Sequence, residues 1–243
     1  MRYTAVMEAL RRFPTPAGGP PSIFLLPEGG MSEIYNIITK HQLRRCLELG
    51  SGFGATSCVM AAATGAVGGR VTTIDLHRPP VNAEMLKAYV GLVDELECVV
   101  EPLGYNWWLA DRIREQSQGN RACTPIYDLV FVDGAHEWEP DALASLLAVK
   151  LLKPGGWLVL DDLNFNLRMI PNWHETHGHL SDRELDAFQI DMVWSLVIGQ
   201  HPDLFDFQIS QHGRIGWARK RLSTADAVPR GRFHHLRRLV GAH

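Results

Sequence analysis

Long apolar runs are missing from this chain. No stretch of its 243 residues approaches the roughly 20 apolar residues that a membrane-spanning helix needs. The opening segment "MRYTAVMEALRRFPTP" has no apolar secretory core. Cysteine is scarce: the four thiols (Cys46, Cys58, Cys98 and Cys123) lie in or beside apolar segments and show no metal-ligand spacing. This argues against a disulfide scaffold or a zinc module and fits reduced, mostly buried thiols in a cytoplasmic protein. Excess charge is also small, a formal −3, so nothing global points to nucleic acid or to a membrane surface. No internal repeat is visible.

What is present suits one sizeable α/β domain, because a 46% hydrophobic fraction is enough for a single large core. Residues 1–22 read as a short N-terminal helix and a Pro/Gly-rich connector, "FPTPAGGPPS". Residues 23–220 form the main domain and 221–243 a basic tail, since seven Arg/Lys face one Asp from Arg219 to His243. Such a tail is either solvated or a contact for a partner chain or acidic ligand. The sequence leaves homo-oligomer formation open.

Apolar runs flanked by turn signals predict strands at Arg45–Leu49, Arg70–Ile74, Glu97–Glu101, Asp128–Val132 and Trp157–Leu160. Helical patterns fall between them, at Ala55–Ala63, Asn82–Leu92, Asn106–Glu115 and Pro140–Leu152. This alternation predicts a parallel sheet with helices on both faces. Asp182–Gln200 then reads as one helix, with Leu185, Phe188, Met192 and Leu196 on a stripe. "LFDFQIS" and "RIGWARK", joined by "QHG", read as an antiparallel hairpin.

"CLELGSGFGATS" links the first strand to the first helix, and Gly50, Gly52 and Gly54 remove side chains where backbone turns tightly near a ligand. Glu48, two residues before the first glycine, would repel a pyrophosphate but suits a ligand with an ammonium group. Asp75 ends the second strand 23 positions after Gly52, where a carboxylate can accept hydrogen bonds from ribose hydroxyls. With these residues in this order, and with "LLKPGGWLVLDD" ahead of the fifth strand, the chain resembles class I S-adenosylmethionine-dependent methyltransferases. The resemblance implies a Rossmann-like, seven-stranded, mostly parallel sheet of order 3-2-1-4-5-7-6. It also implies S-adenosylmethionine as cofactor, contacted by Glu48, Gly50, Ser51, Gly52, Gly54, Asp75, Asn106 and Asp133. Tyr105 or Asn106 would face the adenine.

The fourth and fifth strand candidates both end in carboxylates, Asp133 and, 28 positions on, Asp161 followed by Asp162. Three carboxylates converging on one sheet edge repel unless a positive group sits among them. A divalent cation answers this, and all-oxygen ligation favours Mg²⁺ or Mn²⁺ over zinc. The metal-free alternative has one Asp capping the next helix and another hydrogen-bonded to the acceptor. The arrangement is similar to metal-dependent O-methyltransferases of the catechol and macrolide-sugar types, which implies Mg²⁺ held by Asp133, Asp161 and Asp162. The pair departs from the usual Asp-Asn or Glu-Asp. Those enzymes carry a lysine or histidine three residues after the metal Asp, which makes His136 the catalytic base; an unperturbed imidazole ionises near 6.5.

"NWHETHGH" supplies three further histidines without a zinc pattern, and Asn164–Ser181 reads as a flap over the acceptor, with Trp173 as a contact. The expected function is Mg²⁺-assisted O-methyl transfer to a small hydroxylated molecule, such as a sugar, catechol-like or natural-product acceptor. A metal-independent methyltransferase of the same fold, including an N-methyltransferase, and a catalytically silent cofactor-binding scaffold are the alternatives.

Overall fold

The computed structural model describes residues 1–119 and 122–222. The expectation for the basic tail lies, beyond Leu222, outside these residues. Two helices, α1 (Tyr3–Arg11) and α2 (Glu28–Lys40), precede β1 (Arg45–Leu49). Then follow α3 (Ala55–Ala66), β2 (Arg70–Asp75), α4 (Ala83–Val90), β3 (Leu96–Val100), α5 (Tyr105–Ser117), β4 (Tyr127–Val132), α6 (Trp138–Leu151) and β5 (Leu152–Leu160). Short helices α7 (Trp173–Thr176), α8 (Asp182–Asp186) and α9 (Gln189–Met192) lead to the hairpin of β6 (Leu204–Ser210) and β7 (Ile215–Lys220). The seven strands form one sheet of order β3-β2-β1-β4-β5-β7-β6. Only β7 runs antiparallel to its neighbours β5 and β6.

The central strands are buried on both sides, which is why they read as continuous apolar runs. One core holds α1, α2 and α3 against the sheet through Val6, Leu10, Ile34 and Phe131, and the opposite face packs α6 through Ala144 and Ala148. The small residues of α3 let it lie buried in this layer from Ala55 to Thr64. No described helix is long and apolar enough to cross a membrane.

Register sets up the site. Leu49 pairs with Ile74 and Val132, and Val132 pairs with Leu160. The next residue of each strand, Gly50, Asp75, Asp133 and Asp161, therefore emerges at one carboxyl edge, where open parallel sheets bind ligands.

Two elements depart from the sequence reading. α2 was not foreseen, although Met31, Ile34 and Ile38 bury one stripe of it. The single helix expected over Asp182–Gln200 is broken at Ala187 and Phe188, and after α9 the chain continues in wide π-type turns over Val193–Ile198. Gln189 explains the break: its side chain donates to the Glu184 carbonyl at 2.9 Å and accepts from the Trp138 backbone N–H at 2.7 Å. Leu185 is buried but Phe188 and Leu196 are exposed, so the expected stripe is not one continuous core face.

Candidate active site

A cavity of about 740 Å³ opens along the carboxyl edge. Gly50, Ser51, Gly52 and Gly54 line one part of it, together with Asp75 and Asn106. Asp133, His136 and Asp162 line the other, with Phe165 and Arg214.

The glycine turn needs its glycines for steric reasons. Gly50 has φ +93°, and a Cβ there would lie 1.8 Å from the Asp133 carbonyl oxygen; at Gly54 it would meet the Ala83 backbone at 2.3 Å. Asp75 fastens the turn. Its Oδ2 accepts from the backbone N–H groups of Ser51 and Gly52, both at 3.0 Å, and from Ser51 Oγ at 2.9 Å. Leu25 lies over the turn, 2.7 Å from where a Gly52 side chain would begin. Gly52→Val is therefore expected to strain a left-handed backbone position by about 1–2 kcal/mol and to crowd the cavity. Calorimetry with S-adenosylhomocysteine checks this, and undiminished affinity would remove the turn from the binding site.

Glu48 does not line the cavity. It is fully buried beneath the turn, accepting from Ser57 Oγ and, at 2.6 Å, from Thr73 Oγ1. The expectation of direct contact with an ammonium group is corrected accordingly. Burial pushes its carboxyl up to about 7.

Asn106 donates to the Pro140 carbonyl at 2.9 Å, and its own Oδ1 has no partner among the described residues. Tyr105 packs over Gly134, donates to Asp141 and accepts from the Ala135 N–H at 3.2 Å. It thereby holds the loop that carries His136.

The carboxylates converge as expected, but the positive group among them is an arginine. Arg214, just before β7, donates from Nε to Asp161 Oδ1 at 2.8 Å and from Nη2 to Asp161 Oδ2 at 2.7 Å. The same Nη2 lies 2.8 Å from Asp162 Oδ1. Both oxygens of Asp161 are thus taken up, which corrects its expected place as a metal ligand. Among the described residues, the group whose donor atoms lie within 4.8 Å of one another is Asp133, His136 and Asp162.

His136 Nδ1 lies 3.2 Å from Asp162 Oδ2, and the ring packs edge-on against Phe165 at 5.4 Å between centroids. His136 and Asp162 both hold left-handed backbone, at φ 59° and 63°. Two strained non-glycine residues meeting face to face mark a geometry imposed by the surrounding structure. Burial, reinforced by the Asp161 and Asp162 charges, pushes the Asp133 carboxyl well above the usual carboxylate range. Burial and Asp161 also raise Asp162, with His136 and Arg214 opposing.

Trp173 is not a lining residue: it stacks on His174 and lies beneath Arg168. Phe165, Arg214 and Leu25 are the site residues that sequence reasoning missed.

Residues 47–163 match a family model described as a methyltransferase domain. Together with the strand order, this decides the class. The chain carries a class I, S-adenosylmethionine-dependent methyltransferase domain. Solved structures share its fold across most of both chains. The O-methyltransferase TomG of Streptomyces achromogenes, involved in tomaymycin synthesis and solved with SAM, is 20% identical, with TM-score 0.56 over 90% of this chain and 89% of that one. An O-methyltransferase from Bacillus cereus, in complex with SAH, is 17% identical, with TM-score 0.57 and 92% of each chain covered. The SAH-bound methyltransferase PaMTH1 of Podospora anserina is 16% identical, with TM-score 0.60 over 89% of this chain and 88% of that one. No curated protein matches the methyltransferase chain in sequence.

Proposed function

We propose that this methyltransferase transfers the methyl group of S-adenosylmethionine to a hydroxyl of a small molecule, in the cytoplasm, with His136 as the base. One observation carries the reading: a single cavity joins the glycine turn and Asp75 to the His136–Asp162 pair. The turn would seat the methionine part of the cofactor and Asp75 the ribose, and Asn106 would line the place of the adenine. These would hold the sulfonium methyl facing the acceptor half, converting a bimolecular reaction into an effectively unimolecular one. Asp162, paired with Nδ1, would fix the tautomer and leave the other ring nitrogen to take the hydroxyl proton. The names of the Streptomyces and Bacillus structures, both O-methyltransferases, agree with oxygen as the acceptor atom.

A second reading adds Mg²⁺, and the Asp133–His136–Asp162 group favours it. Two buried carboxyls with raised affinity for protons would also hold a divalent cation, which supplies Lewis acidity towards the acceptor oxygens.

The discriminating experiment measures S-adenosylhomocysteine production on a panel of hydroxylated compounds, with and without chelator. Mg²⁺ dependence requires turnover to vanish in chelator and return with the ion, and Asp133→Ala and Asp162→Ala to stay inactive at high Mg²⁺. Full turnover in chelator removes the metal and leaves O-methyl transfer standing. Cofactor binding with no turnover on any compound would instead favour a silent scaffold.

A further inference from the structure

Arg214 has a place in the acceptor site that charge neutralisation alone does not use up. Its guanidinium has five N–H donors in a rigid plane. Nε and Nη2 engage Asp161 and Asp162, whereas Nη1 makes no hydrogen bond to the described residues. The side chain lines the cavity beside His136 and Phe165. Its backbone is fastened as well: the Arg214 carbonyl accepts from the Leu163 N–H at 2.9 Å, and its own N–H donates to the Ser210 carbonyl at 3.1 Å. The guanidinium is therefore anchored through Nε, Nη2 and its own backbone, with the Nη1 donor group unengaged among the described residues in a side chain that lines the cavity.

We propose that Arg214 is the resident cation of the acceptor site, presenting Nη1 to the acceptor oxygen, so that a single phenolic hydroxyl suffices as acceptor without a chelating metal. The inference rests on the methyl-transfer reading above and adds the acceptor class and the group that recognises it. A guanidinium stabilises a developing oxyanion through charge-assisted hydrogen bonds, but it does not bind two oxygens around one centre as a metal does. Without Lewis-acid help the hydroxyl must already be acidic. A phenol, ionising near pH 10, lies within reach of an imidazole base, and an alkyl alcohol does not. Phe165, packed against His136, provides apolar wall beside these polar groups, as an aromatic acceptor requires.

The step balances without another reagent. The phenolic proton passes to a His136 nitrogen, and an oxygen electron pair forms the new O–C bond. The C–S bond breaks with its electrons going to sulfur, leaving neutral S-adenosylhomocysteine, and the proton is then lost to water.

The test uses the full chain loaded with S-adenosylhomocysteine and 4-nitrophenol, whose phenolate absorbs visible light, in EDTA. The wild-type complex should lower the pH at which the bound probe ionises, and added Mg²⁺ should not change this. Arg214→Gln should weaken phenolate binding roughly tenfold or more, the size of a hydrogen bond to a charged group, and Arg214→Lys should restore part of it. S-adenosylhomocysteine affinity serves as the control for folding. Removing Arg214 leaves Asp161 buried without its partner, so the double variant Asp161→Asn/Arg214→Gln carries the test should the single one fail to fold. A wild-type spectrum that shifts only with Mg²⁺ or not at all, or phenolate binding unaltered by Arg214→Gln, would overturn the proposal while leaving methyl transfer intact. Failure of the wild type to bind S-adenosylhomocysteine would overturn both.

Discussion

His136→Ala is expected to lower the maximal rate by roughly two to four orders of magnitude, the usual range for loss of a general base. The expectation rests on where the ring is held. Its Nδ1 lies 3.2 Å from Asp162 Oδ2, the ring packs edge-on against Phe165, and the loop beneath it is tied to Tyr105 through the Ala135 N–H. A ring oriented this closely has one nitrogen engaged and the other available for the acceptor. As a base it must be neutral to accept the hydroxyl proton. S-adenosylhomocysteine affinity should barely change, because the glycine turn and Asp75 lie in the other half of the cavity. A variant that keeps its rate would reduce His136 to a loop residue. Equal losses of rate and of cofactor binding would indicate a collapsed loop, not a missing base.

The parts of this site that depend on local chain order were legible in the sequence. Gly50, Gly54 and Asp75 follow directly from strands that end in a tight turn or a carboxylate, and the in-register edge brings them together. The convergence of Asp133 with Asp161 and Asp162 follows from the adjacency of β4 and β5. What could not be read was the partner of Asp161. Arg214 lies 53 residues further along the chain, and its arrival depends on the hairpin folding back against β5. Charge counting over nearby residues called for a cation without showing that a distant arginine supplies one. The helix expected over Asp182–Gln200 failed for a similar reason: Gln189 satisfies backbone groups on Glu184 and Trp138, and no periodicity reports that. Glu48 shows the limit of motif spacing. Its position two residues before the glycine is right for a ligand contact, yet strand alternation turns its side chain into the interior.

That buried Glu48 has a measurable consequence for stability. Burial raises its carboxyl from 4.5 to about 7, with Ser57 and Thr73 opposing the shift only in part. Between these two values the folded protein keeps the proton and the unfolded chain loses it. Stability then falls as pH rises, and the loss is complete once pH exceeds the folded-state value. A shift of this size corresponds to about 3 kcal/mol. Glu48→Gln keeps a carbonyl to accept from Ser57 and Thr73 but has no proton to lose. Urea denaturation at about pH 5 and about pH 8 should show wild type losing about 2.5 kcal/mol more than the variant across that interval. Parallel behaviour of the two proteins would mean that Glu48 is not held protonated. The same burial links the residue to the cofactor. A cationic sulfonium and ammonium bound above the turn would favour ionised Glu48, so S-adenosylmethionine binding near pH 6 should release a proton. Calorimetry in buffers of different ionisation heat detects that release, and in Glu48→Gln it should disappear.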